Sequence, residues 1–158
     1  MTSAYDGQVR WIALLFVVTG CDVVLGLRAP PDDGPSRFRK RLTITQTAQE
    51  DLVDFPVSIA TTSDDDLRAH ARADGTDLGF SHAQGNGLAF EVGGYGDGTL
   101  DAWVLLPMLP NGPTEIFLEY GGGAREPDPL DVWRGPFEAV WHLSGDPDEP
   151  DSTSNDHD

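Results

Sequence analysis

"FRKRLTITQ", Phe38 to Gln46, and "DFPVSIATT", Asp54 to Thr62, carry the pattern that decides the fold. In the first stretch Phe38, Leu42 and Ile44 fall on one side of an extended chain, with Arg39, Arg41, Thr43 and Thr45 on the other. In the second, Phe55, Val57 and Ile59 alternate with Pro56, Ser58 and Ala60. A period of two belongs to a strand with one buried face, since a helix would repeat its apolar positions every three or four residues. Lys40 interrupts the inner face near its start, and Pro56 points to an edge strand or a strand start.

Working outward, the same alternation returns at Leu78–Ser81, Leu88–Tyr95, Thr99–Leu106 and Thr114–Tyr120, separated by turns at "QGNG", "GDG" and "LPNGP". One segment departs from it. "SDDDLRAHARADG" offers Ser63 as a cap, Asp64 to Asp66 at the positive end of a helix, and Gly75 just past its end. Leu67, His70 and Ala71 would share the inner face of that helix. Short strands with a single short helix predict a mainly β chain: a small antiparallel β-sandwich spanning residues 37–122, with flexible tails. A domain of that size has a thin core, for which Phe55, Phe80, Phe90, Trp103 and Tyr120 are the large candidates.

The totals agree. Apolar residues make up 39% of the 158, and 18 Gly with 12 Pro suit a loop-rich β protein better than a helical bundle. Twenty-seven acidic residues against ten basic ones give a formal charge of −17, which repels phosphate backbones and argues against a nucleic-acid partner. A single cysteine excludes an internal disulfide framework and any cysteine-cluster metal site.

That cysteine, Cys21, follows the apolar run Trp11–Val18 and the small residues Thr19 and Gly20. The run is too short for a membrane span, which needs roughly 20 apolar residues, but it fits a secretory h-region of about 7–15. "VTGC" resembles the lipobox of bacterial lipoproteins. The resemblance implies that residues 1–20 are a signal peptide and that Cys21 becomes the acylated first residue. A thiolate suits that alkylation, and several acyl chains on one residue give stable anchoring. Asp22 to Ser36, rich in Pro and Asp, then reads as a tether over 21–36. The expected location is the cell envelope, on the extracytoplasmic side, with the membrane as a partner through the lipid.

Phe38 to Gly123 also carries "RLTIT", "DLVDFPVSI", "ADGTDLGF", "EVGGY", "LDAWVLLPMLP" and "IFLEYGG" in order. With these blocks the stretch resembles the bacterial family called domain of unknown function 2341. That resemblance implies an extracytoplasmic or surface setting. Members often precede a laminin-G or concanavalin-A-like jelly roll, and "VWHLSG…DSTSN", Val140 to Asn155, resembles the opening of one. After a linker at 123–136, residues 137–158 would then be a truncated start of that second domain, holding one strand, Phe137–Leu143. A jelly roll needs about eight strands. Gly145 to Asp158 is therefore expected to be disordered, and Phe137–Leu143, for want of a sheet of its own, to dock on the first domain or aggregate.

Chemistry-bearing residues are sparse. Asp74 and Asp77 flank Gly75 and could offer carboxylates to calcium, but two ligands fall short of a site, and an Asp-Gly turn explains them as well. His70, His82, His142 and His157 lack ligand spacing for zinc. No Gly-x-Ser-x-Gly elbow occurs. Glu91, Asp101, Glu115 and Glu119 lie on expected strands at outward positions. Trp103 shares a face with Asp101, a pairing that could stack and hydrogen-bond a sugar ring, but a core position is the favoured account of the tryptophan, given how much area it supplies. The chain thus reads as a lipid-anchored, non-catalytic binding or spacer module without a cofactor, contacting glycan or an envelope protein. A glycosidase-like enzyme and a non-functional truncated fragment are the alternatives.

Overall fold

The computed structural model describes residues 34–157 apart from 37, 49 and 144–149. Cys21, the apolar run before it and most of the expected tether lie outside the described residues. Six strands form two antiparallel three-stranded sheets. Strands β1 (Phe38–Gln46), β6 (Gly112–Tyr120) and β3 (Gly79–His82) make one, with β6 in the centre. Strands β2 (Leu52–Thr61), β5 (Thr99–Leu109) and β4 (Phe90–Gly96) make the other, with β5 in the centre. The mainly β, sandwich-like architecture follows the alternation of the sequence closely.

The two sheets share one core. Leu100, Ala102, Val104 and Leu106 of β5 meet Ile116, Leu118 and Tyr120 of β6, with Phe80, Phe90 and Ile59 at the sides. Helix α1 (Asp65–His70) closes one end by inserting Leu67, which is wholly buried. Its cap is Asp64 rather than Ser63: the Asp64 carboxylate accepts the N–H groups of Asp66 and Leu67, at 3.1 and 3.0 Å. Lys40, the residue that broke the β1 pattern, reaches the carboxylates of Asp64 and Asp66 with its ammonium. The Tyr120 hydroxyl donates to Asp66 as well. His70 packs its ring on Phe38 at 4.1 Å.

Two of the expected core aromatics lie elsewhere. Phe55 is 42% exposed. It keeps the register of the core face, opposite Leu106, and lies next to Asp54, whose φ of 47° places it in the left-handed region opposite the stretch of β5 that holds Pro107. There the buried parity switches, so Leu109 enters the core while Val53 and its partner Met108 face solvent. Asp tolerates that conformation better than most residues. Trp103 belongs to the outer face of its sheet, and the inner face is taken by its neighbours Ala102 and Val104. Pro56 sits on an edge strand, opposite Leu105.

Beyond Gly122 the chain is more ordered than its composition predicts. Gly123 N–H donates to Gly34 at 2.8 Å, Arg125 N–H to Thr76 at 2.7 Å and Asp128 N–H to Phe90 at 2.8 Å. A second short helix, α2 (Pro129–Val132), sits in the expected linker and packs against β4 and β5. Phe137–Leu143 is irregular rather than a strand.

Candidate functional site

The outer face of the β2–β5–β4 sheet carries a second, smaller layer. Register sets it up: Glu91 of β4 lies opposite Trp103 of β5, and Pro56 of β2 lies opposite Leu105. Leu105 is only 2% exposed although it points away from the sandwich core, because the C-terminal segment covers this face. Trp133, at the end of α2, approaches Trp103 at 5.1 Å between ring centroids. His142 stacks on Trp103 at 6.0 Å and lies tilted against Trp133 at 5.7 Å, while Phe137 meets Trp133 edge-on at 5.3 Å.

Glu91 is the polar centre of this layer. Its Oε2 accepts the Trp133 indole N–H at 2.6 Å and lies 3.0 Å from His142 Nε2. Its Oε1 accepts the Ser152 hydroxyl at 2.9 Å. The carboxylate is only 15% exposed, so these donors replace most of its water. One strand residue thereby gathers three points of the C-terminal segment.

Ser152, His142 and Glu91 invite comparison with a serine-type triad, and the geometry decides against it. Ser152 Oγ and Glu91 Oε2 both face the same ring nitrogen, Nε2, at 3.3 and 3.0 Å. A relay needs the acid on the far nitrogen, so that it orients the base and leaves the near nitrogen for the serine proton. Here the Ser152 hydroxyl gives its proton directly to Glu91. The trio works as a clasp.

The stretch 150–157, expected to be disordered, is fastened by Asp151. Its carboxylate accepts the N–H groups of Val140 and Thr153, each at 2.9 Å, and of His157 at 3.2 Å. Burial alone would push this carboxyl up. Those backbone donors and the Thr153 hydroxyl outweigh it and hold the group well below the usual carboxylate range. Ser152 N–H donates to Val140 O at 3.0 Å, and the Asn155 amide reaches Phe137 O and Glu138 O.

The remaining candidates divide as follows. Asp101 is exposed on the same face as Trp103, beside the backbone of Gly93 at the β4 bulge. Asp74 closes a turn onto the N–H and hydroxyl of Thr76, at 3.1 and 2.8 Å. Asp77 is fully buried and its two oxygens accept the N–H groups of Arg72 and Gly121, at 2.9 and 2.6 Å. Both carboxylates thus serve the backbone around them. Among the described residues no three His, Cys, Asp or Glu side chains converge as a metal site would require, and no helix is long and apolar enough to cross a membrane.

Alternation singles out Trp103 but gives Glu91 the same signature as the other outward carboxylates, and composition places Trp133 in a linker. The Asp128-Pro129 pair was the available signal for α2. Asp128 caps it by accepting Asp131 N–H at 3.0 Å, and proline suits the first turn. Comparisons of the chain with protein-family models, curated proteins and solved structures find no match.

Proposed function

We propose that the chain is a lipid-anchored, non-catalytic module of the cell envelope whose sandwich acts as a stiff spacer on a membrane tether. The observation that carries the non-catalytic part is the clasp: Ser152, His142 and Glu91 are engaged in fastening one segment to another. The anchored part rests on the lipobox-like "VTGC" ending at Cys21 and on the resemblance of Phe38–Gly123 to domain of unknown function 2341. The spacer reading is placed ahead of glycan contact at Trp103 because that ring is already packed by Trp133 and His142.

Feeding an alkyne fatty acid to a bacterial host, followed by fractionation, tests the anchor. The intact chain should carry the label and sediment with membranes, and Cys21→Ser should do neither. An unlabelled chain in the soluble fraction would overturn it. The spacer reading expects no sugar release from a polysaccharide panel, and release abolished by Glu91→Gln would replace it with an enzyme. Array binding lost in a folded Trp103→Ala variant would restore glycan contact at that face.

A further inference from the structure

The flank of the sandwich between the edge strands β3 and β4, where Arg125 and Asp128 bind to Thr76 and Phe90, holds two adjoining cavities. One, of about 310 Å³, has Leu78, Phe90, Val92 and Tyr95 among its walls, with Asp74 and Thr76 beside them. The other, of about 280 Å³, runs past Phe80, Leu88 and Phe90 to Ser81, Glu119 and Glu126. Phe90 and Arg125 border both. Each is near the lower bound of the roughly 300–1,000 Å³ typical of small-ligand sites.

Arg125 is fixed where the two meet. Its backbone N–H is bound to Thr76 O at 2.7 Å, and its stem lies against Gly79. Its guanidinium spans Ser36 Oγ at 2.6 Å and Glu119 Oε2 at 3.3 Å. Glu119 is shared in turn with Ser81 at 2.6 Å and Arg39 at 3.5 Å. Glu119 thus answers both Arg125 and Arg39, while Asp74 and Glu126 add further carboxylates to the rim, which offers an anionic ligand no electrostatic advantage. What remains is a set of directional donors and acceptors around aliphatic and aromatic walls. Glycine widens the approach: a Cβ on Gly87 or Gly94 would meet no atom within 4 Å.

We propose that this flank is a binding cleft for an uncharged saccharide, taking two linked sugar units, one on each side of Arg125. Sugar rings present apolar C–H faces to Val92 and Tyr95, the half-buried walls, and hydroxyl edges to Thr76, Arg125 and the carboxylates. This goes beyond the spacer reading and uses a surface separate from the Glu91 clasp.

The test is an amide NMR titration of the full chain carrying Cys21→Ser, with cellobiose, maltose and N,N′-diacetylchitobiose as probes. At least one should shift Thr76, Gly87 and Gly94 with a millimolar Kd. Gly94→Gln and Gly87→Gln, each placing a side chain in open space, should weaken it at least tenfold while the rest of the spectrum stays folded. Failure of all three probes to shift the cleft amides would overturn the proposal. So would shifts confined to the Trp103 face, or affinity unchanged in both variants. A uronic-acid disaccharide that binds tighter than every neutral probe would overturn the uncharged assignment. None of these outcomes depends on whether Cys21 is acylated, so the anchor reading stands or falls separately.

Discussion

Replacing Glu91 with alanine should release the C-terminal segment while leaving the sandwich folded. The carboxylate accepts from Trp133 Nε1, His142 Nε2 and Ser152 Oγ at 2.6, 3.0 and 2.9 Å. Hydrogen bonds to charged groups contribute about 1.5–3 kcal/mol each in isolation, but three on one acceptor are not additive. Partial solvent access lowers the sum further, since the side chain is 15% exposed. Against that, Trp133 is only 6% exposed, so its N–H is left without a partner in an apolar setting. A net loss of about 2–3 kcal/mol for the clasp follows, equivalent to about a 30- to 150-fold change in its opening equilibrium. Amide hydrogen exchange reads this directly. The N–H groups of Val140, Ser152 and Thr153, which bond Asp151 and Val140 within the segment, should exchange faster by that factor. Those of Val104 and Leu118 in the central strands should not change. Glu91→Gln keeps an acceptor oxygen, and its effect should stay below about tenfold. Unchanged exchange at Val140 and Ser152, or equal acceleration at Val104 and Leu118, would refute the clasp.

Other perturbations reach the sandwich itself. Leu67→Ala empties a wholly buried site in the core cluster and should cost about 2–5 kcal/mol in urea unfolding. Gly98 has φ +76° and a Cβ there would come within 2.3 Å of Asp64 O, whereas Gly85, at φ +87°, has open space around it. Gly85→Ala should therefore lose only the left-handed penalty of about 1–2 kcal/mol, and Gly98→Ala clearly more, by the same assay. The Lys40 ammonium, followed by the Leu67 and Asp66 N–H groups, holds the Asp64 carboxyl below its ordinary value in spite of burial. A depressed folded-state value means that this stability is present above the unfolded carboxylate pKa of about 3.9 and is lost as pH falls through the lower folded one. Stability measured from pH 5 downward should decline less steeply in Lys40→Met than in the wild type, and parallel curves would exclude this pair as a source of acid sensitivity.

The strands were legible because each announces its buried face locally. Leu42 and Ile44, Val57 and Ile59, and Leu100 through Leu106 sit at spacings of two, and the structure places them along the core with little change of boundary. What alternation does not carry is where it stops. Asp54 switches the buried parity through its backbone conformation, so Val53 and Met108 turn outward and Leu109 inward, which alternation alone does not announce. Lys40 looked like a flaw in β1 because its partners, Asp64 and Asp66, lie a strand and a turn further along the chain.

The outer layer was illegible for a related reason. Trp103 has the same sequence signature whether its outward face is bare or covered, and the cover arrives from Trp133 and His142, thirty and more residues later. Composition pointed the wrong way at the C-terminus: a Pro- and Asp-rich segment has too few apolar groups to form a core of its own. It does not need one here. Trp133 and Val132 borrow the face made by Leu105 and Trp103, and Glu91 and Asp151 supply the acceptors that the irregular backbone and side chains require. A short segment becomes ordered when its few apolar side chains meet a surface already built, and that surface belongs to a different part of the sequence.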